Sequence, residues 1–197
     1  MEYENDDKYK AIDKYVKEKL SENRYMHSIN VMNRALEFAK QYGANEQDAI
    51  YAGLIHDVAK EVPKNQRVLL AEELGIELDE IEKEATALIH AKIGAYIAKN
   101  TFGLNDEICD AIRTHTTGCA NMTLLQKIIY LADFTSEDRS FDGAKEVYEM
   151  AKKNLDEALL YALKISIIDV MNEGGFVHPD GVAAYNYLLL NKRKKGE

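Results

Sequence analysis

The sequence predicts an all-α protein, built as a single-domain helical bundle. Helix-forming residues dominate the composition, whereas the chain holds only 11 Gly and 2 Pro. Apolar residues recur at spacings of three and four, and no sustained alternation of the kind that predicts a strand is found. A chain of 197 residues can bury one sizeable core. We therefore expect one domain over residues 1–197, with a core at about 21–140 and C-terminal helices at about 144–191.

Capping residues and glycine stops place the helices of the first half. Asn45 is a favoured N-cap, and the acids that follow it suit the positive end of a helix dipole. Gly43 and Gly75 are expected to end helices, because glycine tolerates the left-handed conformation found just past a helix C-terminus. The predicted helices of this half cover about 8–20, 21–42, 46–57 and a short segment after "EVPKNQR" that Gly75 closes.

Polar loops separate the helices of the second half. The segments "HTTGCANM", "FTSEDRSFDG" and "EGGFVHPDG" interrupt the helical periodicity. Asn105 is expected to cap one helix, and Pro179 suits the first turn of the last helix, where a missing N–H donor costs nothing. Helices are predicted at about 86–100, 106–115, a segment ending at 133, 144–153, 156–172 and 179–190.

Charge, hydropathy and cysteine usage argue against a nucleic-acid-binding, membrane or secreted protein. The net charge of -9 argues against a nucleic-acid interface, which needs clustered Lys and Arg. The basic run "NKRKKGE" is expected to be a frayed, solvated end. No apolar run is long enough to cross a membrane, and the polar start "MEYENDDKYK" is no signal peptide, so we expect a cytoplasmic protein. Cys109 and Cys119 lack CxxC spacing and are expected to be reduced packing residues.

Polar, titratable residues fall where the helical pattern predicts apolar ones. Any one histidine on such a face is most simply a core residue hydrogen-bonded to a carbonyl, and an acid at a helix end can be partly exposed. Taken together, they must be solvated in a cleft or held by a common cation, because an unpaired buried charge costs on the order of 5 kcal/mol or more. Imidazole and carboxylate ligands suit iron, manganese and zinc. The residues concerned are His27, His56, Asp57, His90, His115 and Asp133, whereas His178 lies in cap position for the last helix and is expected to be structural or rim-exposed.

Five ordered motifs give the sequence a family resemblance. They are "RYMHSINV", "AGLIHDVAKE", "ALIHAKIGA", "AIRTHTTG" and "IIYLADFTSEDR", and they span about residues 24–139. In that order they resemble the YqeK-type bacterial family of symmetrical diadenosine tetraphosphate hydrolases, within the HD-domain superfamily of metal-dependent phosphohydrolases. The resemblance implies an all-helical HD-type bundle and hydrolysis of a bridged dinucleotide into two ADP molecules by metal-activated water.

The resemblance also assigns roles to individual residues. His27, His56, Asp57 and Asp133 would hold a divalent metal, with iron favoured and manganese or another transition metal as alternatives. His90 and His115 would bind a second metal or the substrate phosphates. The catalytic residues would be Asp57, which could also take the proton of the attacking water, and Lys60, which would neutralise charge on the departing ADP. The expected substrate contacts are Lys60 and Arg139 to phosphate, the latter with a solvated loop charge as its alternative, and Thr116 and Thr117 to the nucleotide.

Two other functions stay open at this point. The same site could act on another nucleotide, such as a dNTP or a guanosine alarmone, or the protein could be a non-catalytic module that binds a nucleotide without turnover. The complete set of His27, His56, Asp57 and Asp133 favours an enzyme. We expect a small-molecule dinucleotide as its partner, with no nucleic acid and no membrane, and we leave a homodimer open.

Overall fold

The computed structural model describes residues 5–141 and 143–196, and these form eleven α-helices with no β-strand. Outside the described part lie the first four residues of the polar start, Asp142 of the second polar loop and Glu197 of the basic run. The all-α prediction is confirmed, while the division into a core and C-terminal helices stays a prediction. The helices are α1 (Asp7–Lys19), α2 (Glu22–Tyr42), α3 (Glu46–Ile55), α4 (Arg67–Glu73), α5 (Glu80–Glu84), α6 (Ile89–Phe102), α7 (Asp106–Thr114), α8 (Leu124–Phe134), α9 (Ala144–Ala151), α10 (Leu155–Asn172) and α11 (Pro179–Lys195).

Local chemistry accounts for most helix boundaries. The side chain of Asn45 accepts a hydrogen bond from the backbone N–H of Asp48 at the start of α3. Gly43 ends α2 in the left-handed region, with a φ of 72°. His178 caps α11, whose first residue is Pro179, so the prediction of a structural helix cap is confirmed.

The structure differs from the sequence prediction at three helices. The five-residue helix α5 was missed because it is too short for periodicity, although Asp79 and Glu82 form a capping box at its start. Helix α6 begins at Ile89 rather than at 86, because the preceding residues form a turn. Helix α11 continues to Lys195, past the predicted end at about 190, so it includes much of the basic run.

Helices α2 and α3 cross at unusually close range. A Cβ atom on Gly53 of α3 would lie 2.7 Å from the Cα atom of Met32 in α2, so only glycine fits this crossing. The crossing brings His27 of α2 near His56 at the end of α3, with ring centroids 5.4 Å apart. Helices α7 and α8 complete the core around them. The largest fully buried side chains include Phe38, Leu54, Ile55, Ile112, Ile129 and Leu131.

A smaller apolar cluster supports the turn that follows α3. It consists of Ala59 in that turn, Ala71 in α4, and Ile89 and Ile93 in α6. All four side chains are at most 1% exposed. The turn after α3 and the start of α6 are therefore packed against one another through α4.

Two remaining predictions concern membranes and cysteines. Within the described residues, we find no helix with the length and apolar character needed to span a bilayer. Cys109 and Cys119 are free and partly buried, and burial raises the pKa of both thiols. They form no disulfide, as expected.

Candidate metal centre

Six titratable side chains from separate parts of the fold meet in one cluster. Each sits in or at the end of a helix, so the positions are fixed by the packing of the core. In chain order they are His27 in α2, His56 and Asp57 in the turn after α3, His90 in the first turn of α6, His115 just past α7, and Asp133 near the end of α8. All are buried apart from Asp133, whose side chain is 17% exposed. The sequence-predicted metal ligands are thus brought together.

Three of the four histidines are oriented by the main chain. The Nδ1 atom of His56 lies 2.8 Å from the carbonyl oxygen of Gly53. That of His115 lies 2.7 Å from the oxygen of Ile112, and that of His90 lies 2.5 Å from the oxygen of Ala87. Because a carbonyl oxygen only accepts, Nδ1 must donate in each ring, so in the neutral form Nε2 is the nitrogen that carries the lone pair. All three Nε2 atoms face the cluster.

His27 is oriented by a side chain instead. Its Nδ1 donates to Oδ2 of Asp138 over 2.8 Å, and Oδ1 of Asp138 accepts from the amide of Asn30 over 3.1 Å. Its Nε2 lies 3.0 Å from Oδ1 of Asp133. Sequence reasoning missed Asp138. The only signal for it was its place in the motif "IIYLADFTSEDR", where three charged residues follow one another.

The arrangement fits a bound cation, because contacts within the protein leave some ligand atoms without a partner. The buried Nε2 atom of His56 has no hydrogen-bond partner among the described residues. Oδ1 of Asp57 lies 2.9 Å from Nε2 of His90 and 3.4 Å from Nε2 of His115. Without a proton or a cation, these lone pairs and the carboxylate charge repel one another. Imidazole nitrogen and carboxylate oxygen are also the donor set that divalent transition metals prefer.

Three overlapping groups of ligand atoms are close enough to hold an ion. Within each group the atoms all lie within 4.8 Å of one another. The groups are His27–His56–Asp57, His56–His115–Asp133 and Asp57–His90–His115. The described residues therefore include buried His and Asp groups able to hold a metal ion.

The protonation states also suit metal binding. Burial lowers the pKa of His56 to about 4, against the opposing charges of Asp57 and Asp133. Burial likewise lowers the pKa of His90 to about 4. For Asp57, burial acts to raise the pKa, but His56, His115 and His90 in their protonated forms, together with Lys60, outweigh it and hold the pKa well below its usual range. At neutral pH these imidazoles are uncharged and the carboxylate is ionised, which are the forms that bind metals.

Two basic side chains contact the cluster. Nζ of Lys60 lies 3.3 Å from Oδ1 of Asp57 and 3.1 Å from Nε2 of His90. Arg139 donates from Nε to the carbonyl oxygen of Asp133 over 3.1 Å and from Nη2 to its Oδ1. Both cations that sequence reasoning singled out therefore lie beside the acids of the cluster.

Two cavities flank the cluster. The first, of about 320 Å³, is lined by His115, Thr116, Asp133 and Arg139 together with the aromatic rings of Tyr130, Phe134 and Phe141. Thr117 lines an adjoining apolar slot beside Thr116. The second cavity, of about 430 Å³, is more polar, and its lining includes Arg24, His27, Asp57, Lys60 and Arg139. Arg139 borders both cavities, so the cluster is reached from two sides.

A fourth group of acids and histidine lies apart from this cluster, and its ligand atoms have partners within the protein. Nδ1 of His178 accepts from the backbone N–H of Asp180, and its Nε2 lies 3.0 Å from Oδ2 of Asp79. Both ring nitrogens are thus occupied. Glu82 is paired with Lys92 over 2.6 Å. The group ties the start of α11 to the start of α5.

Comparison with known proteins agrees with the geometry of the cluster. The family model of the HD domain matches residues 24–138, which include His27, the His56–Asp57 doublet and Asp133. The chain belongs to the HD-domain family. This HD protein is 39% identical to "Bis(5'-nucleosyl)-tetraphosphatase, symmetrical" of Bacillus subtilis, over 88% of its own length and 94% of that protein. It is 41% identical to the protein of the same name from Halalkalibacterium halodurans, over 90% and 95% of the two chains.

A solved structure extends the comparison to the fold. A crystal structure from Clostridium acetobutylicum, described as a predicted HD superfamily hydrolase involved in NAD metabolism, superposes with a TM-score of 0.89. That chain is 36% identical, and the match covers 93% of this HD protein and 97% of the other chain. The family resemblance drawn from the five sequence motifs is confirmed, and this HD protein is a hydrolase of the family named symmetrical bis(5'-nucleosyl)-tetraphosphatase.

Proposed function

We propose that this HD protein cleaves diadenosine tetraphosphate symmetrically into two ADP molecules. Its relatives from Bacillus subtilis and Halalkalibacterium halodurans carry the name of that activity. The observation that carries the proposal is the cluster itself, in which four histidines and two aspartates converge with Lys60 and Arg139 beside them. Such a set combines metal ligands with the cations that a polyphosphate requires.

In this proposal, His27, His56, Asp57 and Asp133 hold one divalent metal ion. We propose iron, with manganese or another transition metal as the alternative. Their ligand atoms belong to the two overlapping groups His27–His56–Asp57 and His56–His115–Asp133. The group Asp57–His90–His115 is the candidate for a second ion or for contact with phosphate. A bound ion of this kind supplies Lewis acidity and lowers the pKa of water toward about 7.

The protein side chains supply proton acceptance and positive charge. Oδ1 of Asp57 is contacted by His90, His115 and Lys60, which leaves Oδ2 to accept a proton from the attacking water. Lys60 and Arg139 offset the negative charge that develops on the phosphates as ADP departs. The planar guanidinium of Arg139 suits two phosphate oxygens at once, once it leaves Asp133.

The two cavities match the two halves of a dinucleotide. One half would place its base among the aromatic side chains of the 320 Å³ cavity, beside Thr116. The other half would lie in the 430 Å³ cavity, where Arg24 and Lys60 can contact phosphate. The phosphate bridge would then cross the cluster beside Arg139, which borders both cavities. Sequence reasoning did not single out Arg24.

We also propose that the partner is a small dinucleotide and not a nucleic acid, because the net charge of -9 would repel a long polyanion. The two free cysteines suit the reducing cytoplasm, which we propose as the location. A homodimer stays a prediction, and light scattering coupled to size exclusion measures it.

Product analysis tests the function directly. Purified protein loaded with iron under anaerobic conditions is incubated with diadenosine tetraphosphate, and the products are resolved by chromatography. We expect two ADP per substrate. ATP plus AMP would contradict the symmetric cut, and binding without product would favour the non-catalytic module. Faster turnover of a dNTP or a guanosine alarmone would favour the alternative substrates.

A matched pair of variants connects the products to the cluster. Asp57→Asn should abolish turnover while the helix content stays the same, because the buried carboxylate is lost without a change in shape. Asp110→Asn changes an exposed acid on α7 whose ion pair, among the described residues, is with Arg113, and it should leave turnover unchanged. Full activity in Asp57→Asn would remove the proposed role of the cluster.

A further inference from the structure

A buried arginine outside the cluster connects two segments that carry cluster residues. Arg67 opens α4, and only 3% of it is exposed. Its hydrogen bonds to the described residues all end on backbone carbonyl oxygens. Nη2 donates to Lys60 over 2.7 Å and Nε donates to Val62 over 2.9 Å. Nη1 donates to Thr86 and Ala87, both over 3.2 Å. One guanidinium thus joins the turn after α3 to the turn before α6.

Each of these two turns holds one of the two residues of the Lys60–His90 contact. The first contains Lys60 itself. The second contains Ala87, whose carbonyl oxygen accepts from Nδ1 of His90 as well as from Arg67. Nζ of Lys60 and Nε2 of His90 then meet at 3.1 Å. The backbone under both residues is therefore held by the same side chain.

We propose that Arg67 is a positioning residue that fixes Lys60 and His90 relative to each other. This inference rests on the proposed function, in which both residues face the substrate phosphates. Arg67 borders neither of the two cavities that reach the cluster, so it acts through the backbone of its neighbours and not on the substrate. A planar fork with five N–H donors at fixed angles sets the spacing of four carbonyls more closely than a flexible ammonium would.

The surroundings of Arg67 make a simple packing role a poor explanation. Burying a charge beside the apolar cluster of Ala59, Ala71, Ile89 and Ile93 is costly, whereas an apolar side chain would leave the carbonyl oxygens of both turns without these donors. The cost is offset here by four charge-assisted hydrogen bonds. The negative charge of Asp57 also favours the protonated guanidinium, although burial lowers the pKa of Arg67.

A double-mutant cycle tests the inference. Arg67→Met removes the donors and keeps a long apolar stem, Lys60→Met removes the ammonium, and the two are combined. We expect Arg67→Met to lower kcat by about tenfold or more, the size seen for residues that orient ligands, with the metal content unchanged. The double variant should be no worse than Lys60→Met alone, because both changes disable the same contact. Arg67→Lys should restore part of the loss, and the exposed Arg113→Met should have no effect.

A second readout does not depend on activity. In the metal-free protein, 15N NMR of the His90 ring reports which nitrogen carries the proton. We expect a proton on Nδ1 in the wild type and a mixture of tautomers in Arg67→Met. A failure of the proposed substrate would leave this result in place, so the two failures are distinguishable.

Three outcomes would overturn the role of Arg67. The first is wild-type kcat and an unchanged His90 tautomer in Arg67→Met. The second is losses that multiply independently in the double variant, which would mean that Arg67 does not act through Lys60. Should Arg67→Met not fold, the same cycle is run with Arg67→Lys. The third outcome that would overturn the proposal is a wild-type kcat together with an unchanged His90 tautomer in Arg67→Lys.

Discussion

Nε2 of His90 lies 3.2 Å from Nε2 of His115, although the Nδ1 proton of each ring is committed to a backbone carbonyl. Two lone pairs therefore face each other inside the protein, and Oδ1 of Asp57 lies beside both. Lys60 relieves part of this repulsion through its contact with His90. A cation bound among these atoms would offset the remaining repulsion, and this has measurable consequences.

Metal binding should stabilise the folded state strongly. An ion that binds only the native protein adds about 2.7 kcal/mol at a free concentration of about 100 times its Kd. For a chain of this size the gain corresponds to roughly 2–4 °C in Tm for each kcal/mol. Calorimetry of chelator-treated protein with and without added Mn²⁺ measures the shift. The same shift in Asp57→Asn, or none in the wild type, would contradict a site built on Asp57.

Asp138 should control the metal affinity through His27. Asp138→Asn keeps the shape of the side chain but removes the charge that holds the Nδ1 proton of His27. We expect the affinity for the metal to fall by about 10–100-fold. Competition with a chelator of known affinity measures it. Glu137→Gln changes the preceding acid, which lines a different cavity, and should leave the affinity unchanged. Equal affinities in the two variants would rule out this role.

The metal-free protein should lose stability as the pH falls from about 6.5 to 4. In the folded state the pKa of both His56 and His90 is about 4, below the ordinary value of 6.5. Between these values the unfolded chain binds more protons, so acidification favours unfolding by an amount of order 3 kcal/mol for each histidine. His27 acts in the opposite direction, because Asp133 outweighs burial and raises its pKa.

Urea unfolding of the metal-free protein at pH 7, 6 and 5 measures this slope. The variant His56→Gln/His90→Gln is the control, and its free energy of unfolding should depend less on pH over the same range. A wild-type free energy that is flat from pH 7 to 5 would show that these imidazoles are not held neutral by burial.

Gly53→Ala should destabilise the crossing of α2 and α3. The added Cβ would lie 2.7 Å from Cα and 3.1 Å from the backbone N of Met32, and backbone atoms cannot rotate away. We expect a loss of about 1–3 kcal/mol despite the better helix propensity of alanine. Gly94→Ala, whose nearest contact is His56 O at 3.3 Å, should cost less. Equal free energies of unfolding for the wild type and Gly53→Ala would contradict this reading of the crossing.

Much of the fold could be predicted because its signals are local. The cap at Asn45 and the stop at Gly43 depend on a few neighbouring residues, and the structure has both. The side chains that meet in the cluster were also found, since a histidine or aspartate on an apolar helical face is visible in the spacing alone. Their convergence on one cluster could be expected because isolated buried charges are costly, while their individual roles stay predictions.

The residues that sequence reasoning missed are those whose surroundings come from distant parts of the chain. Asp138 lies in a loop with no periodicity, and its contact with His27 joins residues 111 positions apart. Arg67 looks like an ordinary arginine at the start of a short helix, and only tertiary packing buries it. The helix α5 is too short to produce a pattern of its own.

The different ways in which the histidines are oriented give them unequal tolerance to mutation. At His56, His90 and His115 the proton is placed by main-chain oxygens, which every amino acid possesses. Substituting the side chains that surround these rings therefore leaves Nε2 facing the cluster, as long as the chain path is kept, and at His90 we propose that Arg67 keeps it. At His27 the position of the ring proton depends on the carboxylate of Asp138, which a single substitution removes. Sequence drift or deliberate redesign would thus alter the chemistry of this centre most readily through the loop that carries Asp138.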